Sequence, residues 1–150
     1  MNTRNVLLTL HIAAVTGWLG ADILRYVISP RLARESPEVV TAWARQQVWL
    51  HDVYYAVVAV VIAVTGVALV LHGHWSWSST FIWVGVGAIV LGATLGGGGL
   101  GSIAKQRLAA LEAGDPAAAH AAERRQLPLA LIVSALPLIA IFAMVQRWRL

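Results

Sequence analysis

His11, Asp22 and Arg25 stand within HIAAVTGWLGADILR, one of the most apolar stretches of the chain. An imidazole can ligate a haem iron or carry a proton, and a carboxylate beside a guanidinium can hold a charge or release it. Placing an Asp or Arg at the centre of a membrane helix costs roughly 2.5 to 3.5 kcal/mol. Positions 11, 18, 22 and 25 recur at spacings of seven, four and three, so His11, Trp18, Asp22 and Arg25 fall on one helical stripe. That stripe is expected to face other helices. Asp22 and Arg25 pair on the same helix and lie near the depth of His51 and Asp52, which predicts a four-member polar cluster. The structural alternative is an interfacial ion pair that fixes helix register, with Arg25 snorkelling to the surface. For His11 the choices are one hydrogen bond to a neighbouring helix or a ligand role. Gly17 and Gly20 flank Trp18 and leave room for a flat partner or for another helix.

The elements that must position these groups follow from composition. The 150-residue chain is 59% hydrophobic with a mean hydropathy of +0.72, well above a soluble domain. A membrane protein is expected. Cysteine is absent, which excludes disulfides, thiolate metal sites and cysteine nucleophiles. The excess of eleven Lys and Arg over seven Asp and Glu is modest and forms no basic block interleaved with aromatics, so no nucleic-acid partner is expected.

Four runs reach the 20 or so apolar residues that cross a bilayer as helix, near 6–28, 53–71, 81–100 and 127–145. The expected fold is an all-α bundle of four transmembrane helices in a single domain. Ser36 as N-cap and Pro37 at the first helical position start a helix that runs straight into the second span. The third span continues to a stop at Gly114, and Asp115 with Pro116 restarts the chain toward the fourth. A kink is expected near Pro137.

Arg4, Arg147 and Arg149 share one side, whereas Arg25, Arg31, Arg34, Arg45, Lys105, Arg107, Arg124 and Arg125 share the other. The positive-inside rule then puts the termini outside and the two helical extensions in the cytoplasm of a multi-pass protein of the cell's inner membrane. Trp75, Trp77, Trp83 and Trp148 form an outer aromatic belt, and Tyr26, Trp43, Trp49, Tyr54 and Tyr55 an inner one.

GATLGGGGLGSIAK contains a G-x-G-x-x-G spacing at Gly96, Gly98 and Gly101. A membrane helix precedes it where a nucleotide fold needs a strand, and no Walker Lys-Ser or Lys-Thr follows. Close helix packing, with Gly85, Gly92 and Gly96 on the approach, or a flexible break is the expected role. By helical rise His11 and His51 lie about 20 Å apart along the membrane normal, so they do not share one iron. His72 and His74 end the second span at a level His11 can approach. A His11 pair with His72 or His74, or His11 alone, are the haem arrangements this topology permits. His120 falls in the cytoplasmic hairpin.

The first span, LHIAAVTGWLGADILRYVISPRL, resembles the opening helix of CopD-like copper-resistance membrane domains and of membrane-bound protoporphyrinogen oxidases of the HemJ type. The remainder is similar to an uncharacterised family of predicted four-helix bacterial integral membrane proteins. The similar parts are VTGVALVLHGHWSWSSTFIWVGVGAIV, KQRLAALEAGDPAAAHAAERRQLPLALIV and the terminal FAMVQRW. The resemblance implies the fold and a membrane location, and it implies a haem-associated histidine at His11. The second and third spans lack a matching basic motif, so oxidase activity does not carry over. With only Met1 and Met144 and no Cys, soft ligands for copper are few.

The leading functional expectation is haem b binding with a redox or electron-transfer role, His11 being the axial ligand, Trp18 a neighbour, and Asp22 with Arg25 an ion pair or propionate contact. His11 and Arg25 are about 21 Å apart along the helix, too far for both to touch one haem with ease. The alternatives are a non-enzymatic accessory protein that contacts a membrane partner, and transport of a proton or small solute, which implies a homo-oligomer.

Overall fold

The computed structural model describes residues 2–146 and is helical throughout its regular structure, with four long helices. These are α1 (Thr3–Leu32), α2 (Pro37–His72), α3 (Thr80–Glu112) and α4 (Pro116–Gln146). Each is long and apolar enough to cross a membrane, which gives the chain the build of a multi-pass membrane protein. At 30 to 36 residues they span roughly 45 to 54 Å, more than the hydrocarbon thickness of about 30 Å. The excess forms helical extensions at the end opposite the start of α1, here called the extension end. The other is the terminal end. Arg147, Trp148 and Arg149 of the charge count and aromatic belt lie outside the described residues.

Helix boundaries follow local chemistry. Asn2 caps α1, its side chain accepting from Arg4 N–H at 3.1 Å. Ser36 is extended before Pro37 begins α2, though its side chain makes no capping bond. At the α3–α4 turn Gly114 adopts φ +70, the left-handed conformation that ends helices cheaply only at glycine. Asp115 then accepts from Ala118 N–H at 2.9 Å. α4 runs on through Pro128 and Pro137 as one helix.

Two helices contain wider π-helical turns. In α2 the segment Leu50–Tyr54 is π-helical, closed by Tyr55 N–H to Leu50 O. In α3 it is Gly92–Leu100, followed by Gly101 N–H to Gly96 O. The two segments pack together. The glycine run is therefore a continuous helix of altered pitch rather than a break. Its glycines admit neighbours closely: a Cβ at Gly92 would lie 3.2 Å from the Trp18 ring and one at Gly99 3.0 Å from Leu129, while Gly85 stands as close to Met144. This is the small-residue packing expected where helices associate without a hydrophobic driving force.

The outward faces are apolar. On α2, Val53, Val57, Val60, Val64, Val67 and Leu71 are exposed at alternating spacings of four and three, a lipid-facing stripe. Inside, Trp18, Tyr55, Ile62, Leu100, Ala130 and Val133 form the core. At the extension end Ser29 Oγ accepts from Trp43 Nε1 at 3.0 Å and Gln47 Nε2 at 3.1 Å. Gln47 Oε1 in turn accepts from buried Arg107 at 3.0 Å, and Arg107 lies 3.8 Å from Glu123. One polar chain thus ties all four helices together.

Candidate functional site

The stripe predicted on α1 is buried: His11, Trp18, Asp22 and Arg25 are the four buried residues of that helix. α2 runs antiparallel beside it and presents His51, Tyr55, Ile62 and Thr65, also buried. The two stripes meet residue by residue, so that 11 faces 65 and 22 faces 55.

At the extension-end half the meeting point is the Asp22 carboxylate. Its Oδ1 accepts from Tyr55 Oη at 2.6 Å and its Oδ2 from Ser134 Oγ at 2.7 Å. Both are in the range of charge-assisted O–H···O⁻ bonds. With the Ser134 proton committed to Asp22, the Tyr26 hydroxyl 3.2 Å away donates to Ser134 Oγ. Arg25 Nη2 lies 3.5 Å from Oδ1, and its guanidinium carbon sits 5.2 Å from the Tyr26 ring centroid. Asp22 therefore joins α1, α2 and α4 through one anion.

The predicted four-member cluster forms only in part. Asp22, Arg25 and His51 are buried together, but Asp52 is exposed and pairs with Lys105 at 2.9 Å. Successive residues of a helix point about 100° apart, so with His51 turned inward Asp52 reaches the surface, where Lys105 meets it. Arg25 does not snorkel; it is 5% exposed and held by Asp22 and Tyr26. Tyr55, expected in the inner aromatic belt, is instead a core residue whose ring packs 5.5 Å from Trp18 and 5.4 Å from His51. The space beside Gly17 is filled by Tyr54, whose hydroxyl donates to Gly17 O at 2.9 Å.

At the terminal-end half His11 Nδ1 and Thr65 Oγ1 lie 2.9 Å apart. The Thr65 hydroxyl has one proton and places it on Val61 O at 2.6 Å, so it accepts from His11 Nδ1–H. This assigns the tautomer and leaves Nε2 with a lone pair. Gly66 makes room for the ring, since a Cβ there would lie 3.3 Å from His11 Cε1. His11 lines a cavity of about 440 Å³ with Arg4, Trp18, Trp75, Trp77, Phe81, Pro137 and Met144. That volume falls in the range of small-molecule and cofactor pockets, and its apolar wall with a few polar groups is the usual composition.

His72 and His74 are exposed and do not line this cavity. His74 instead serves the turn, with φ 51. The bis-histidine arrangement is thus not assembled, and the soft atom that does share the cavity with His11 is the Met144 thioether. Arg25 lies at the other cluster, so the cation lining the cavity is Arg4. Among the described residues no group of three or more His, Cys, Asp and Glu gathers as a metal site. His11 is thus the single imidazole that lines the apolar cavity.

The sequence did not single out Thr65 or Ser134, and it suggested other roles for Tyr55, Arg4 and Met144: a belt ring, a flanking charge and a scarce soft ligand. A signal existed for Tyr55 and Thr65: positions 51, 55, 62 and 65 repeat the spacings of four, seven and three found on α1. No family model, curated protein or solved structure matches the chain.

Proposed function

We propose that the protein is a haem-b-binding inner-membrane protein with a redox role, and that His11 is its axial ligand at the terminal-end cavity. One observation carries this: the Thr65 hydroxyl accepts a hydrogen bond from His11 Nδ1–H, which leaves Nε2 with a free lone pair on a side chain that lines an apolar cavity. A second-sphere acceptor that fixes the imidazole tautomer and ring plane is the habitual support of a metal-ligating histidine. Arg4 is placed to neutralise a carboxylate-bearing edge, and Met144 to offer a thioether. Trp75, Trp77 and Phe81 add aromatic surface to the cavity wall. A bound haem supplies one-electron chemistry there. Asp22, engaged by Tyr55, Ser134 and Arg25, ties α1, α2 and α4 together beside that site. The excess of cations at the extension end supports a cytoplasmic location for that end.

The test is the dithionite-reduced minus oxidised spectrum of protein purified from haem-supplemented cells. Stoichiometric Soret and α bands are expected, and they disappear in His11→Ala. A folded, colourless wild-type protein would overturn the assignment and favour an accessory role.

A further inference from the structure

A second cavity, of about 120 Å³, lies beyond Trp18 toward the extension end. Its walls come from Trp18 and Asp22 of α1, His51 and Tyr55 of α2, and the π-helical glycine segment of α3. Two features set it apart from a packing void. First, Trp18 and His51 are both more than nine-tenths buried, and Trp18 Nε1 and His51 Nε2 have no hydrogen-bond partner. Leaving a buried polar group unpaired costs about 1 to 3 kcal/mol, so a ligand that pairs with both recovers that stabilisation. Second, Ala56, Ala93 and Gly97 line it and are exposed on the lateral surface. The cleft opens between α2 and α3 through small residues, at a depth where the neighbouring faces are lipid-facing valines.

The occupant therefore arrives from the bilayer. Indole Nε1–H only donates, so the ligand presents an acceptor oxygen. His51 Nε2 donates in one tautomer and accepts in the other, which suits a ligand that alternates between carbonyl and hydroxyl. Asp22 already places a carboxylate in the wall, and a second anion there is disfavoured. A neutral carbonyl is preferred over a fatty acid. The volume equals about four waters at roughly 30 Å³ each, the scale of one substituted ring flanked by the Trp18, Tyr55 and His51 rings.

We propose that this lateral cleft seats the head group of a membrane-soluble quinone, with Trp18 Nε1–H and His51 as its hydrogen-bond partners. The cleft shares the Trp18 ring with the His11 cavity as a common wall, and its test uses no haem absorbance.

The experiment is photolabelling of the purified full chain in lipid nanodiscs with an azido-ubiquinone, mapped by peptide mass spectrometry. Labelling is expected in the segments 51–59 and 92–100, competed by decylubiquinone and not by palmitate. Gly97→Leu fills the mouth without a clash at Cβ, where nothing lies within 4 Å, and lowers labelling at least tenfold. Ala93→Leu gives the same loss and is read if Gly97→Leu fails to fold by circular dichroism. His51→Ala weakens competition about tenfold, and Val60→Leu on the lipid-facing stripe leaves labelling unchanged. Labelling spread over the lipid-facing surfaces, insensitive to both mouth variants, would overturn the proposal. Equal competition by palmitate would do so too, marking the cleft as a fatty-acid site.

Discussion

Tyr55 donates to Asp22 at 2.6 Å across the α1–α2 contact, and both residues are buried. This is the shortest cross-helix link to the carboxylate, and Ser134 completes it from α4.

Removing the donor is expected to be costly. Tyr55→Phe keeps the ring but loses a bond to a charged group, a loss of about 1.5 to 3 kcal/mol. Asp22→Ala strands Arg25 without its carboxylate and costs about 3 to 5 kcal/mol. Reversible unfolding in mixed micelles measures both; equal stability of Asp22→Ala and wild type would show that the pair is not the clamp.

Tyr55 and Ser134 share one acceptor, so their contributions are coupled. A double-mutant cycle of Tyr55→Phe with Ser134→Ala is expected to depart from additivity by about 0.5 to 3 kcal/mol. Strict additivity would mean that each hydroxyl acts alone.

The Thr65 bond sets the His11 ring. Thr65→Val preserves shape and removes the acceptor, and Gly66→Val pushes a side chain into the imidazole. Each is expected to weaken haem retention by about 10- to 100-fold, read by haem transfer to apomyoglobin. Retention unchanged in both would detach the cofactor from this histidine.

Glycines in the fold differ sharply in what they tolerate. A Cβ at Gly73 would lie 2.5 Å from the Trp75 ring and 2.9 Å from Leu69 O, whereas at Gly20 it meets nothing within 4 Å. Gly73→Ala is expected to cost about 1 to 3 kcal/mol. Gly20→Ala is expected to be neutral or to stabilise α1 by up to about 1 kcal/mol. Melting temperatures in detergent rank the two, and the reverse order would contradict the packing described.

His74 occupies a positive-φ turn position, and glycine adopts that conformation without penalty. His74→Gly is expected to leave both stability and haem absorbance intact. Loss of colour in that variant would restore His74 as a ligand.

Much of this was legible in the sequence because helical periodicity and hydrocarbon thickness act locally. The four spans, the continuous helix from Pro37, the Gly114 stop and the buried α1 stripe all follow from spacing and length. Asp52 was misplaced because it follows His51 directly, and successive residues lie about 100° apart on a helix, so both cannot face Asp22. Thr65 and Ser134 were missed because a single hydroxyl in an apolar run gains meaning only once its partner helix is known. Arg4 and Met144 reach the His11 cavity from far apart in the chain, a juxtaposition fixed by the bundle.

The paired π-helical segments carry a consequence for how the chain tolerates change in length. Each takes an extra residue into a widened turn without adding a turn, so the flanking halves of α2 keep nearly the phase of a helix one residue shorter, as do those of α3. Deleting one residue within 50–54 therefore relaxes the turn to ordinary pitch and leaves both the Gln47 and Trp43 contacts with Ser29 and the Tyr55 contact with Asp22 in place. A deletion between 56 and 61, where the pitch is already α-helical, has no slack to draw on and turns Thr65 by about 100° away from His11.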